Sequence, residues 1–134
     1  MALKVAWLAI DSHDPGKLAR WWMEALDGYE IEYDSATEAD ADPAEPEVVI
    51  RSSSGHRLLF LKVPDTKSVK NRLHLDLRPD DRDAEVARLE SMGAKRVDIG
   101  QGDDTSWVVL VDIEGNEFCV LRALTEEEKA QEGA

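Results

Sequence analysis

The sequence has very little cysteine and histidine, and each shortage removes a class of protein. Cys119 is the one cysteine among 134 residues, so the chain has neither a disulfide framework nor a CxxC pair of metal ligands. None of the three histidines lies in an HExxH motif. The GxGxxG, P-loop and GxSxG motifs are also missing. A reactive site would therefore consist of residues that are distant in sequence and are brought together by the fold.

Positive charge and long apolar runs are scarce as well. Sixteen basic residues stand against 29 acidic ones, which gives a net charge of −13 and a pI near 4.5. Such a field repels phosphate backbones and anionic headgroups, so we expect neither nucleic acid nor a membrane as a partner. No apolar run approaches the ~18 residues of a membrane span, and no signal peptide opens the chain. The expected location is therefore the cytoplasm.

The most informative stretch is RLHLDLR, residues 72–78. Its strict alternation predicts a strand with leucines on one face. The other face carries Arg72, His74, Asp76 and Arg78. Such a polar face is either open to solvent or forms the wall of a cavity.

Two similar sets of elements follow each other along the chain. In the first, a strand over 3–11 precedes a helix that begins at Asp14-Pro15 and ends at Gly28, and strands follow at 29–33, 48–52 and 57–63. In the second, the strand 72–78 precedes a helix capped by Asp80/Asp81 and ended by Gly93, and strands follow at 96–99, 107–111 and 117–122. The predicted modules are residues 1–63 and 71–123, with a linker at 64–70 and a frayed acidic tail at 124–134.

Residue spacing supports the repeat. An offset of 67 carries Trp7 onto His74 and Asp14 onto Asp81, and an offset of 60 carries SGHRLLFL onto EGNEFCVL. A single module of this size could not bury its apolar faces alone, so the two are expected to form one α+β domain.

Three motifs carry a family resemblance: DPxxLAxWW after the first strand, HLDL at the start of the second module, and DxxGNEFCVL near its end. With the tandem βαβββ order, they resemble the vicinal oxygen chelate superfamily, and most closely its glyoxalase-like and bleomycin-resistance-like members. The resemblance covers about residues 3–123. It implies an eight-stranded curled mixed sheet around a cavity, with helices outside, and a homodimer.

The same resemblance allows a test for a metal site. Metal-dependent members place ligands on strands one, four, five and eight, and the matching positions here are Trp7, Leu59, His74 and Cys119. Only His74 is a good match, and Cys119 suits a soft metal. Because a divalent ion needs three or four converging donors, we expect no metal and no other cofactor.

Strand alternation then predicts which residues line the cavity. Apolar residues of the strands, such as Leu58, Phe60, Leu73 and Phe118, would meet the helices, and their neighbours would point inward. The expected ligand-binding residues are Trp7, Arg57, Leu59, Arg72, His74, Asp76, Glu117 and Cys119. The arginines suit an anionic group, although Arg57, Arg72, Asp76 and Glu117 would also serve as cross-strand ion pairs.

These residues leave three functions open. The first is metal-independent binding of a small organic molecule, as in resistance-type sequestration. The second is a lyase or isomerase that uses His74 and Asp76 in acid–base catalysis or a non-standard metal site. The third is an interaction module that binds a basic partner through the acidic loop 34–47.

Overall fold

Two aspartates begin the two predicted helices, as their positions before the apolar periodicity indicate. In the computed structural model, which describes residues 2–98 and 106–132, helix α1 is Pro15–Ala25 and helix α2 is Arg82–Ser91. The Asp14 carboxylate accepts a hydrogen bond from the Lys17 amide (3.2 Å), and that of Asp81 accepts one from the Ala84 amide (3.1 Å). Both predicted caps are confirmed.

The first compact unit, Met1–Thr66, contains a mixed four-stranded sheet. Its strands are β1 Leu8–Ser12, β2 Tyr29–Asp34, β3 Glu47–Ser52 and β4 Arg57–Lys62, in the order β1-β4-β3-β2. Strand β1 runs parallel to β4. A parallel pair needs a long crossover connection, which α1 and the two intervening strands provide. Helix α1 packs against β3 and β4, where its Leu18 and Trp22 join Ile50 and Phe60 in the core.

The second compact unit, Lys67–Ala134, repeats this arrangement. Its strands are β5 Asp76–Leu77, β6 Lys95–Arg96, β7 Val108–Val111 and β8 Glu117–Val120, in the order β5-β8-β7-β6. Helix α2 packs on β8 and buries Val86 and Leu89, as predicted. The α+β class and the tandem βαβββ order are confirmed, with the eight strands in two four-stranded sheets. The predicted GQGDD turn and Ile99 lie outside the described residues.

The repeat extends to the pairing register. Ala9 pairs with Leu59 in the parallel pair of the first sheet, and Asp76 pairs with Cys119 in that of the second. These partners are related by the offsets of 67 and 60 residues that the sequence predicts.

The turn before the last strand of each unit is built in the same way. In the second unit, the buried Asp112 accepts hydrogen bonds from the amides of Glu114 (2.9 Å) and Asn116 (3.0 Å), and Gly115 has a φ of 88°. In the first unit, the Ser52 hydroxyl takes the place of this carboxylate and accepts from the His56 amide (3.1 Å). The DxxGN motif is therefore a turn in which a carboxylate satisfies several donors at once.

Asp112→Ala is expected to destabilise the protein by about 2 kcal/mol, because it leaves two partly buried backbone donors without an acceptor. Ser52→Ala, at the equivalent turn, removes one weaker acceptor from a more exposed site and should cost about 0.5–1 kcal/mol. Urea unfolding monitored by tryptophan fluorescence measures both. Equal losses from the two substitutions would contradict this ranking.

The first strand of each unit differs most from its predicted bounds. The alternating stretch 72–78 is a strand only at Asp76–Leu77, and β1 begins at Leu8. Leu73, predicted to lie in the core, is 76% exposed, and Val5 is 91% exposed. Alternation alone does not make a strand: the pairing with β8 includes only Asp76 and Leu77, and residues 72–75 lie outside it.

The acidic tail, predicted to be frayed, contains a helix, α3 Glu126–Glu132. Thr125 and Glu128 form a capping box: the Glu128 amide donates to the Thr125 hydroxyl (3.1 Å), and the Glu128 carboxylate accepts from the Thr125 amide (3.0 Å). Arg122 also binds the Glu128 carboxylate through two nitrogens, at 2.8 and 2.7 Å. The acidic composition of the tail predicted a frayed end. The tail is helical instead, because the Thr-x-x-Glu capping box and the ion pair with Arg122 hold its first turn.

Candidate metal centre

Three side chains with metal-binding chemistry meet in the second unit. His74 Nε2 lies 3.3 Å from Asp76 Oδ1. These two atoms and the Cys119 sulfur all lie within 4.8 Å of one another. The cluster thus combines a nitrogen, an oxygen and a sulfur donor, contributed by the segment just before β5, by the start of β5 and by the middle of β8.

The short parallel pair β5–β8 explains why these residues meet. Asp76 lies opposite Cys119 in the register, and the Cys119 amide donates to the Leu75 carbonyl (2.9 Å). His74 lies two residues before Asp76, the first paired residue, in irregular chain. Two of the donors are therefore positioned by strand pairing, whereas the third depends on how the preceding segment is held.

The donor set fits a divalent ion of the zinc type. Tetrahedral bonds of ~2.0–2.3 Å to nitrogen, oxygen and sulfur place neighbouring donors roughly 3.3–3.7 Å apart. The nitrogen and oxygen here are 3.3 Å apart, and all three donors lie within 4.8 Å. Cys119 is 5% exposed, whereas the side chains of His74 and Asp76 are 40% and 53% exposed. An ion held here would have a buried sulfur ligand on one side and access to solvent on the other. Three protein donors also leave a coordination position for a ligand.

The thiol of Cys119 is protonated at neutral pH. Burial raises its pKa, and the charge of Asp76 and a hydrogen bond to that carboxylate raise it further, to about 11. Lys70 acts in the opposite direction but does not outweigh these effects. Cys119 is therefore not an activated nucleophile in the metal-free protein. This agrees with the sequence, in which no adjacent Lys or His suggests an activated thiolate.

Asp76→Asn should lower the pKa of the Cys119 thiol, because it removes the carboxylate charge while leaving the burial. We expect alkylation of the metal-free protein by iodoacetamide to become at least about threefold faster at pH 8, equivalent to roughly half a pKa unit. Asp80 is an exposed aspartate beyond β5, so Asp80→Asn is the control and should leave the alkylation rate unchanged. An unaltered alkylation rate in Asp76→Asn would contradict the conclusion that the carboxylate raises the pKa of the Cys119 thiol.

The same raised pKa links Cys119 to stability at alkaline pH. The unfolded chain releases the thiol proton near its ordinary pKa of 9, before the folded chain does. The contribution of Cys119 to stability is thus fully present below about pH 9 and is lost as the pH rises through about 11.

The first unit has the same backbone positions without the chemistry. Those equivalent to His74, Asp76 and Cys119 are Trp7, Ala9 and Leu59. Leu59 is buried, and Trp7 is 48% exposed just before β1. None of the three is a metal ligand, so the cluster belongs to the second unit alone.

The remaining predicted pocket residues do not join the cluster. Arg57 binds Glu32 on β2 through two nitrogens, at 2.7 and 3.0 Å. Glu117 accepts from Lys67 (2.7 Å) and from the Asn71 amide (2.9 Å). Arg72 is exposed. Arg57 and Glu117 thus form ion pairs, the alternative that the sequence left open, with partners that sequence reasoning did not identify.

Asp76 adds a third potential donor to His74 and Cys119, the two positions that the resemblance offers as metal ligands. The sequence predicts Asp76 in the pocket wall and in acid–base catalysis, and the resemblance places no metal ligand at its position. The available signal was the i, i+2 spacing of His74 and Asp76 on a strand facing Cys119. With Asp76 included, the expectation of no metal has no support from the structure.

Comparison with known proteins agrees with the tandem βαβββ architecture. The family model of the glyoxalase-like domain matches residues 7–121. The chain belongs to this family, within the vicinal oxygen chelate superfamily. No curated protein matches it.

Several solved structures share the fold at low sequence identity. The fosfomycin resistance protein FosX from Mesorhizobium loti is 15% identical, with a TM-score of 0.68 over 97% of this chain and 99% of that one. A mutant FosX from Listeria monocytogenes, complexed with Mn(II) and 1S,2S-dihydroxypropylphosphonic acid, is 12% identical, with a TM-score of 0.71 over 98% and 99%. The trypanothione-dependent glyoxalase I of Leishmania major is 16% identical, with a TM-score of 0.65 over 98% and 95%. In the described part of the present chain, no helix has the length and apolar character to span a bilayer.

Proposed function

We propose that this protein binds a divalent metal of the zinc type through His74, Asp76 and Cys119, and uses it to bind a small oxygen-bearing organic molecule. The observation that carries the proposal is the convergence of three different donor atoms within 4.8 Å. The complex of a structural neighbour, FosX, with Mn(II) supports a metal-based function in this fold. The sulfur donor favours a softer ion than Mn(II).

The protein's own residues divide the work at such a site. Cys119 supplies a thiolate, which requires that its proton leave when the metal binds. His74 and Asp76 supply ligands at the solvent-exposed side, where a small molecule can approach. A bound metal would act as a Lewis acid on a ligand oxygen, which suits lyase or isomerase chemistry at the neighbouring carbon.

The test is the metal content of tag-free protein, together with its melting temperature with and without chelator. We expect near-stoichiometric metal, or uptake of Zn²⁺ or Co²⁺ on titration, and a melting temperature that chelator lowers. His74→Ala should lose this uptake. His56→Ala is the matched control, since His56 is an exposed turn residue of the first unit. Metal-free protein whose melting is insensitive to chelator and to added Zn²⁺ would reject the proposal.

The second candidate is metal-independent binding of a small molecule, including resistance-type sequestration. It is supported by the internal pairing of the cluster, in which Asp76 interacts with both His74 and the Cys119 thiol. A ligand that raises the melting temperature equally with and without chelator would favour this candidate. A shift that requires metal would favour the first.

We also propose that the protein is a cytoplasmic homodimer. Leu3, Val5 and Trp7 expose apolar side chains close together in the chain, and a contact with a second copy would remove this surface from water. Light scattering of the purified protein should give twice the chain mass of 15.0 kDa. Trp7→Glu should shift this toward the monomer mass, and a wild-type monomer would reject the dimer.

A further inference from the structure

One arm of the metal cluster lies in chain with no regular structure. Residues 63–75 form neither helix nor strand, and His74 is near the end of this segment. Strand pairing reaches it only at Leu75, whose carbonyl accepts from the Cys119 amide. The position of His74 therefore needs another anchor on its amino-terminal side.

Glu117 provides that anchor from β8. One carboxylate oxygen binds Lys67 Nζ at 2.7 Å, and the other accepts from the Asn71 amide at 2.9 Å. Both oxygens are thus used on a single segment, at points four residues apart. Both side chains of this ion pair are largely buried, with Lys67 20% and Glu117 12% exposed.

The same strand therefore supplies a ligand and an anchor. Glu117 and Cys119 are two residues apart on β8, so their side chains share a face of the strand. The anchor at Asn71 and the hydrogen bond at Leu75 enclose His74 on both sides. In the first unit, the position equivalent to Glu117 is Arg57, which instead binds Glu32 on β2.

We infer that Glu117 is a positioning residue that holds segment 67–75 so that His74 remains beside Asp76 and Cys119. This inference rests on the proposed metal function and identifies the residue that preorganises the site. Outer partners that orient a ligand typically contribute ~10–100-fold to metal affinity. Because Glu117 acts on the backbone near His74 and not on its ring, we expect about the lower end of that range.

The experiment compares Glu117→Gln with Glu128→Gln in the full-length protein. The two glutamates are matched, since each binds a basic side chain at 2.7 Å and a backbone amide at 2.9–3.0 Å. Glu128 holds the carboxyl-terminal helix, whereas Glu117 holds the segment before His74. Zn²⁺ affinity is measured by competition with a chromophoric chelator, and backbone mobility by hydrogen exchange of the metal-free protein.

We expect Glu117→Gln to weaken Zn²⁺ binding about 10-fold and to speed exchange over residues 68–75, while Glu128→Gln changes neither. Unchanged exchange, or faster exchange with wild-type Zn²⁺ affinity, would overturn the positioning role. Wild-type protein that binds no Zn²⁺ would reject the proposed function separately. Exchange over residues 68–75 would then still decide whether Glu117 holds the segment.

Discussion

Cys119→Ser is expected to weaken Zn²⁺ binding by more than the ~10–100-fold that the loss of an outer partner costs, because it removes a direct ligand. Thiolate is a far better ligand for zinc-type ions than a serine hydroxyl, which stays protonated. The substitution is nearly isosteric, and the hydroxyl can still donate to Asp76. The metal-free fold should therefore be retained.

Co²⁺ provides a direct test of the sulfur ligand. Wild-type protein should show a near-ultraviolet absorption band from charge transfer between thiolate and cobalt, and Cys119→Ser should lack it. His56→Ala, which leaves the three donors in place, should keep the band. Wild-type protein that takes up Co²⁺ without showing this band would exclude Cys119 as a ligand and place the metal elsewhere.

The pH dependence of binding gives an independent check. Because the pKa of the Cys119 thiol is raised to about 11, metal must displace its proton throughout the neutral range. Displacement of one proton makes affinity rise about tenfold per pH unit. Cys119→Ser should lose this part of the slope. Equal slopes for the two proteins would exclude Cys119 as the group that releases the proton.

Among the variants considered for stability, Phe118→Ala should lower the free energy of unfolding most, by about 3–5 kcal/mol. Phe118 is 1% exposed on β8, the strand on which helix α2 packs, and truncation would leave a cavity. Leu73→Ala should cost less than about 0.5 kcal/mol, because Leu73 is 76% exposed. Urea denaturation monitored by circular dichroism measures both.

This pair of variants also separates the structure from the sequence prediction. The alternation of residues 72–78 places Leu73 on the core face together with Phe118. On that prediction, Leu73→Ala would cost ~2–5 kcal/mol, as buried leucines do. A loss of that size would contradict the exposed position of Leu73 in the structure.

Local signals proved dependable where neighbouring residues decide the conformation. The caps Asp14 and Asp81, the buried helix residues and the DxxGN turn were all readable, because each depends on a few residues close in sequence. The repeat was readable because the two units preserve the same spacing. The capping box of Thr125 and Glu128 is a local signal of the same kind, although the acidic composition of the tail predicted fraying.

The sequence by itself determined the α+β class, the two βαβββ units and the equivalence of positions between them, since periodicity, caps and a fixed offset are properties of the chain alone. Tertiary structure decided that residues 72–75 leave the strand, that Glu117 pairs with Lys67 and Arg57 with Glu32, and that Asp76 lies beside both His74 and Cys119. These contacts join residues up to 50 positions apart. Their formation depends on how side chains and irregular segments pack after the strands have paired, which no local pattern encodes.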